Sequence, residues 1–223
     1  MAGKNIQVSS KGIAVYPKIV GKPDEYQGKK FWATKLRLTP EAAKPIEDLV
    51  AATIKEYRDN IAKDPNLSPA DKKKKLAYTD ALPVTAEVDK EGNETGFKLV
   101  SFKTNFEFQD PKTQQMKQIA VAIFDAKGNP CRPRSVWGGT EMKVSYYPHP
   151  YDSGASKSIG VSLRMMGVQI LKLVSGNDPG SSSGLGFQAE EGYEAPTETA
   201  TADTDAPTAD AGTPSAPIPP GLY

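Results

Sequence analysis

The ten residues from Lys29 to Leu38, KKFWATKLRL, constrain the fold more than any other stretch. Side chains of a β-strand alternate between its two faces. One face of this strand carries Trp32, Thr34, Leu36 and Leu38. The other carries Lys29, Phe31, Ala33, Lys35 and Arg37. The first face must pack on a core, whereas the second suits either a solvated surface or a flat, anionic ligand such as nucleic acid.

Charge is distributed unevenly along the chain. The 223 residues contain 28 Lys and Arg against 27 Asp and Glu, a net charge of +1. Residues 176–223 contain no Lys or Arg and eight acids, so they carry −8. The other residues therefore combine 28 cations with 19 acids, a net charge of +9. A basic body with an acidic tail indicates a polyanionic partner and a tethered competitor for that partner.

The rest of residues 1–175 is predicted to be mostly β. Further strands are predicted over residues 11–20, 82–88, 97–108, 118–124, 142–148 and 157–173. Apolar side chains recur on one face of each of the longer segments: Val100, Phe102, Phe106 and Phe108 in one, and Ile159, Val161, Leu163 and Met165 in another. In the last strand Gly160, Ser162 and Arg164 point outward, where the small residues would let a ligand backbone approach. At least six strands predict a compact, mostly antiparallel barrel or curled sheet.

A helical segment over residues 40–77 interrupts the strands. The first helix is predicted to begin at Pro45, and it carries an apolar stripe at helical spacing, namely Ile46, Leu49, Val50, Thr53, Ile54, Tyr57 and Ile61. Ser68 then caps a short second helix, with Pro69 at its first position. The stripe must dock on the barrel. If it docks over Phe31, then Lys35 and Arg37 are rim charges only.

The composition changes after Ser175. Residues 176–223 are rich in Pro, Thr, Ala and acids and contain few branched apolar residues, so we expect this tail to be disordered. We expect residues 1–175 to form the folded body. No apolar run is long enough to span a bilayer, and the beginning of the sequence does not resemble a secretory signal, so we expect a soluble protein.

Catalytic and metal-binding signatures are scarce. His149, the single histidine, lies between two prolines in a predicted hairpin loop, with no nucleophile-elbow sequence nearby. Cys131 is the single cysteine, so there is no CxxC metal signature, and the phosphate-loop pattern GxxxxGK[ST] is absent. We predict no cofactor, no metal and no enzymatic activity. The dispersed acids leave a nuclease open as the weaker alternative.

Outward-facing cations and rings suit non-specific binding of single-stranded nucleic acid, in which cations contact phosphates and rings stack on bases. The candidates are Lys29, Phe31, Lys35, Arg37, Lys103, Arg132, Arg134, Trp137, Lys143, Tyr147, Lys157 and Arg164. Aromatic rings are often buried, so Phe31, Trp137 and Tyr147 could instead cover a second small core under the inserted helix.

The chain resembles the single-stranded-DNA-binding proteins of tailed bacteriophages, in particular a phage family long catalogued as a domain of unknown function. The resemblance rests on FWATKLRL before the helix PEAAKPIEDLVAATIKEY, on VWGGTEMKVSYYPHPY, and on the glycine-marked strand SIGVSLRMMGVQILKL. It implies an oligonucleotide-binding (OB) barrel with DNA in its groove. It also implies a role in phage DNA replication and recombination in the cytoplasm of the infected bacterial host.

The tail is similar to that of the same family, whose acidic C-terminus competes with DNA and contacts replication proteins such as a polymerase or a helicase. The tail residues that would do so here are Glu190, Glu191, Glu194, Glu198, Asp203, Asp205, Asp210 and Tyr223. Two alternatives remain open: a virion or assembly protein with a partner-binding tail, and a recombination annealing protein.

Overall fold

The computed structural model describes residues 5–110 and 112–174. In chain order these form β1 (Gln7–Val8), β2 (Gly12–Lys18), β3 (Asp24–Tyr26), β4 (Lys29–Leu38), α1 (Pro40–Lys63), α2 (Pro69–Leu76), β5 (Thr79–Ala81), β6 (Val84–Val88), β7 (Glu94–Asn105), β8 (Glu107–Gln109), β9 (Met116–Gln118), β10 (Ala122–Phe124), β11 (Glu141–Ser153) and β12 (Ser158–Lys172).

Five of these strands close into a barrel. Following the hydrogen-bonded neighbours gives β2, β4, β7, β12, β11 and then β2 again. The β7–β12 pair is parallel, and the other four pairs of the barrel are antiparallel. The mostly β, OB-like barrel predicted from the sequence is thus confirmed. Its closure removes the unpaired edges that an open sheet would leave on these five strands.

Strand β4 has the predicted bounds and the predicted faces. Trp32, Thr34, Leu36 and Leu38 are buried. The indole nitrogen of Trp32 donates a hydrogen bond to the carbonyl oxygen of Ile119, 2.6 Å away, which satisfies the polar atom of a ring that is otherwise inside the core. In β2 the pairing with β4 shifts between Val15 and Lys18, around Pro17, which has no amide proton to donate to the sheet.

The first helix begins at Pro40, so the predicted start at Pro45 is wrong. Thr39 is the N-cap, and its side-chain oxygen accepts a hydrogen bond from the amide of Ala42, 3.3 Å away. Pro40 then occupies the first helical position, where the missing amide proton has no cost. The predicted apolar stripe is confirmed, because Ile46, Val50, Ile54 and Ile61 are buried in the same core as the barrel.

The alternation of residues 97–108 predicts one continuous strand, and this prediction is wrong. The strand β7 ends at Asn105, and Phe108 lies on the separate two-stranded sheet of β8 and β9, where it is 41% exposed. The break occurs at Phe106, whose ring meets Trp32 edge-on with centroids 5.4 Å apart. Its amide also donates to the carbonyl oxygen of Lys30, 3.0 Å away. With these two contacts of Phe106, the chain leaves the barrel sheet before Phe108.

Two other strand predictions need correction. Residues 118–124 are divided between β9 and β10, and the strand predicted over residues 142–148 continues to Ser153. His149 therefore lies within β11, opposite Ser162 of β12, and not in a hairpin loop. The long β11–β12 hairpin is tied to the helices at its tip, where Asp152 accepts hydrogen bonds from Tyr57 of α1 and Lys75 of α2.

The predicted tail, with its acids and Tyr223, lies outside the described residues. Within the described residues, neither helix is long and apolar enough to cross a membrane. The same residues contain no cluster of three or more His, Cys, Asp or Glu side chains arranged to hold a metal ion.

Candidate nucleic-acid interface

Four residues on four neighbouring strands lie in a line across the outer face of the barrel. Ala33 of β4 pairs with Lys103 of β7, Lys103 with Arg164 of β12, and Arg164 with Tyr147 of β11. Paired residues on neighbouring strands point to the same face. We call these four residues the central row. It places two cations side by side with an aromatic residue at one end.

A second aromatic residue joins the central row from β4. The ammonium nitrogen of Lys103 lies over the ring of Phe31, 3.6 Å from its centroid. Phe31 pairs with Asn105, whose side-chain oxygen accepts a hydrogen bond from the guanidinium of Arg164, 3.1 Å away. Neither Phe31 nor Tyr147 belongs to the core or to the residues packed against it. Both rings are half-buried.

The central row carries a concentrated positive charge. Partial burial and the nearby charge of Arg164 lower the pKa of Lys103, while the carboxylate of Asp24 opposes them. Burial and the same arginine also lower the pKa of His149. Burial first, and the Arg164 guanidinium second, thus disfavour the charged forms of both bases. An anion bound at this place would relieve the repulsion, which makes the row a suitable position for a phosphate.

A groove with a cavity volume of about 430 Å³ runs beside the row. Lys103, Asn105 and Arg164 line one part of it, and Tyr151 and Ser162 line another. The predicted open space over Gly160 is not available to a ligand. A Cβ at that position would lie 2.7 Å from the hydroxyl oxygen of Tyr151 and 2.8 Å from the carbonyl oxygen of Ala81 in β5. The glycine is required by the packing of the protein's own Tyr151 and β5.

Arg37 has partners of its own, which do not belong to the central row. Its Nε atom lies 2.8 Å from a carboxylate oxygen of Glu87 in β6, and its guanidinium lies 3.9 Å from the ring centroid of Phe97. The charge of Arg37 is therefore balanced within the protein. This predicted site residue has a structural partner, unlike Lys103, for which the described residues provide no salt bridge.

The remaining predicted lysines lie at various distances from the row. Lys35 is exposed on the same face of β4 and pairs with Ser101. Lys29 is exposed at the start of β4, next to the β3–β4 turn. Lys143 is half-buried and lines a different, mainly apolar cavity of about 330 Å³ between β1, β10, β11 and β12. Lys157 is exposed in the turn before β12.

Arg132, Arg134 and Trp137 all lie in the loop between β10 and β11. Both arginines are exposed, and Trp137 is 54% exposed. The amide of Trp137 donates to the carbonyl oxygen of Val174, just beyond β12. This contact holds the loop against the end of β12, away from the registered positions of the central row. The structure therefore brings together Phe31, Lys103, Tyr147 and Arg164, and leaves this loop as a separate exposed basic and aromatic segment.

Sequence reasoning missed three residues in or near the groove. Asn105 positions Arg164, Tyr151 covers Gly160, and His149 shares the electrostatic field of Arg164. Asn105 could have been found, since it is an outward residue of the same predicted strand as Lys103. The other two could not, because the prediction ended their strand at residue 148 and placed both in a loop.

Comparison with known proteins decides the family. The family of single-stranded-DNA-binding proteins of bacteriophage T7 matches residues 33–173, which is more than half of the chain and contains all of the central row. The chain belongs to this family. The matched residues, 33–173, include every strand of the barrel except β2 and the beginning of β4.

Two curated relatives are phage proteins. The single-stranded DNA-binding protein of Escherichia phage T7 is 29% identical over 140 residues, 62% of this family member and 56% of that protein. The single-stranded DNA-binding protein of Enterobacteria phage T3 is 27% identical over 159 residues, 71% of this family member and 64% of that protein. The matches thus span somewhat more than half the length of each relative.

Two solved structures share the fold of this family member. The crystal structure of gp2.5, a single-stranded DNA binding protein encoded by bacteriophage T7, matches with a TM-score of 0.64 at 24% identity, over 87% of this chain and all of that one. The single-stranded DNA-binding protein of bacteriophage Enc34, solved in complex with single-stranded DNA, matches with a TM-score of 0.50 at 12% identity, over 76% and 88% of the two chains.

Proposed function

We propose that this protein binds single-stranded DNA without catalysis and largely without sequence preference, and that it does so during phage DNA replication and recombination in the host cytoplasm. The observation that carries the proposal is the pairing of Lys103 with Arg164 on neighbouring strands, flanked by the rings of Phe31 and Tyr147. Cations at neighbouring positions suit consecutive phosphates, and rings beside them suit stacked bases. Membership of the family and the DNA-bound Enc34 relative support the same function.

Sequence-neutral binding follows from the kinds of contact that the row offers. Phosphates are the same in every sequence, and every base has a face on which a ring can stack. Arg164 is already oriented by Asn105, so the guanidinium is held in place before a ligand arrives. That arrangement lowers the entropic cost of binding.

We also propose that the acidic tail, residues 176–223, regulates the body, residues 1–175. The sequence carries eight acids in the tail and a charge of +9 in the body. Tethering raises the local concentration of a competitor. The tail acids would therefore compete with DNA for the basic groove, and Tyr223 would contact a replication partner such as a polymerase or a helicase.

The binding proposal is tested by fluorescence anisotropy of a labelled oligo-dT with the full chain, between 50 and 200 mM salt. The proposal predicts binding at micromolar protein or below and a steep loss of affinity as salt rises, because counterions are released from the neutralised phosphates. No binding at micromolar protein would favour the virion or assembly alternative. Strand pairing or metal-dependent cleavage in the same reactions would instead reveal annealing or nuclease activity.

The tail proposal is tested with a full-length variant in which the eight tail acids are replaced by the corresponding amides. This change keeps the length of the chain and removes the competing charge. The variant should bind oligo-dT more tightly than the wild type at low salt, and the difference should shrink as salt screens the tail. Equal affinities at low salt would contradict competition by the tail.

A further inference from the structure

A short hairpin extends the outer face of the barrel beyond the central row. Strand β3 pairs with the first part of β4, in the register Asp24 with Phe31 and Tyr26 with Lys29. Residues that pair directly share a face of the sheet. Tyr26 and Lys29 therefore lie on the same face as Phe31 and Lys103, on the part of the sheet that projects past the barrel.

The ring of Tyr26 is exposed and lies outside the core of the protein. Its side chain is 66% exposed, and it does not belong to the core or to the residues packed against it. Its hydroxyl oxygen accepts one long hydrogen bond, 3.5 Å, from the neighbouring Gln27. A large aromatic ring in this position contributes little to the stability of the fold, since it removes little of its apolar surface from water.

The turn that carries Tyr26 is short and conformationally defined. Gln27 and Gly28 are the two residues between β3 and β4, and both have positive φ, 50° and 73°. Two such residues are the signature of a type I′ hairpin turn, whose twist matches that of the flanking strands. The ring is therefore carried by a paired strand beside a tight turn, which limits the entropy lost when a base stacks on it.

Strand geometry places Tyr26 at a useful distance from the row. Tyr26 and Arg164 are three strand spacings apart, and the pairing also advances four residues along β4, which gives a separation of roughly 20 Å. The backbone of single-stranded DNA covers that distance in a few nucleotides. Phe31 lies between them on the same face, diagonally across from Tyr26.

We propose that the β3–β4 hairpin is an additional single-stranded-DNA subsite, in which Tyr26 stacks on a base and Lys29 contacts an adjacent phosphate. The inference rests on the proposed function and assigns a direction to the DNA on the barrel. The strand leaves the central row past Phe31 and continues onto the hairpin. The additional contact lengthens the binding site beyond what the barrel wall alone provides.

The test compares Tyr26→Ala, Tyr26→Leu and Tyr26→Phe in the full chain, with oligo-dT of increasing length. On a long oligonucleotide, Tyr26→Ala and Tyr26→Leu should each lose about fivefold or more in affinity, whereas Tyr26→Phe should stay close to the wild type, because stacking needs a ring. On oligonucleotides too short to reach the hairpin, all four proteins should bind alike. Tyr26→Leu is the matched control for apolar bulk without a ring.

A second ligand separates stacking from other effects. A long oligonucleotide in which the thymines are replaced by abasic sites retains its phosphates, so the Tyr26→Ala variant and the wild type should bind it equally. Equal binding of Tyr26→Ala and the wild type to long oligo-dT would overturn the subsite. So would equal losses for Tyr26→Phe and Tyr26→Ala. The wild type's own binding of oligo-dT tests the proposed function separately, so failure of the subsite leaves that function intact.

Discussion

Two cation and aromatic pairs lie on the outer face of β4 and its neighbours, and they differ in their surroundings. At one end Lys103 sits over Phe31, at 3.6 Å, beside a second cation, Arg164. At the other end Arg37 sits over Phe97, at 3.9 Å, beside the acid Glu87. The first pair has excess positive charge and the second is balanced. A cation next to a ring therefore does not by itself identify a DNA contact; the neighbouring charge distinguishes the two.

The largest effect is expected from removing both cations of the central row. The double variant Lys103→Gln and Arg164→Gln should weaken oligo-dT binding by about a hundredfold or more, since each of the two charge-assisted contacts contributes about 1.5–3 kcal/mol. It should also reduce the slope of log affinity against log salt by about 1.4, or about 0.7 for each lost phosphate contact. Salt titrations by anisotropy measure both quantities.

The matched control for that variant is Lys55→Gln with Lys90→Gln, which removes the same charge from exposed positions on α1 and in the β6–β7 turn. The control should retain most of the affinity and the slope. If the control lost as much as the double variant of the central row, net charge alone would account for binding and the comparison of the two pairs would have no meaning.

The two rings provide the next largest contrast. Phe31→Ala should lower affinity for oligo-dT by about 1–3 kcal/mol, the usual contribution of a ring that stacks on a base. Phe97→Ala should leave affinity nearly unchanged, since the Phe97 ring contacts Arg37, whose charge is already paired with Glu87. Parallel anisotropy measurements would contradict the account if both variants lost affinity equally.

A smaller effect is expected from pH, through His149. Burial and Arg164 hold the pKa of His149 below its ordinary value of 6.5, so in the free protein it is mostly neutral at pH 7. A phosphate nearby favours the imidazolium and raises that pKa, so DNA binding takes up a proton. Affinity should therefore rise, by at most about tenfold, as pH falls through the range around and below 6.5. His149→Gln should flatten this rise, and an identical pH profile would contradict it.

The smallest effect on DNA binding is expected at Arg37. Arg37→Gln should change affinity by less than about twofold, because the charge that it removes is already balanced by Glu87. Its effect should appear in thermal stability instead, as a loss of at most about 1 kcal/mol, since the ion pair is partly exposed to solvent and screened. Loss of affinity comparable to that of Lys103→Gln would show that the partner acid does not withdraw Arg37 from DNA.

The accuracy of the sequence-based predictions depended on whether a feature is local. The alternation of β4 and the apolar stripe of α1 are local patterns, and both are present in the structure. Thr39 and Pro40 also carry a local cap signal, which predicts the start of α1 better than Pro45 does. The break at Phe106 depends on the distant ring of Trp32, and no local pattern indicates it.

The candidate site shows the same limit. The outward orientation of Phe31 and Lys103 follows from strand alternation, so it could be predicted from each strand alone. That Lys103 pairs with Arg164, and that Arg37 meets Glu87, depends on strand pairing between segments far apart in sequence. The strand register decides which cations lie side by side and which meet an acid, and local sequence patterns do not predict it.

The central claim is that DNA lies across the central row, and a lysine footprint of the full chain tests it most directly. Lys103 is exposed, so it should react with an acylating reagent in the free protein. Saturating oligo-dT should protect Lys103 and leave the exposed Lys55 and Lys90 unchanged, as read by mass spectrometry. Modification of Lys103 at the same rate with and without bound DNA would contradict the account.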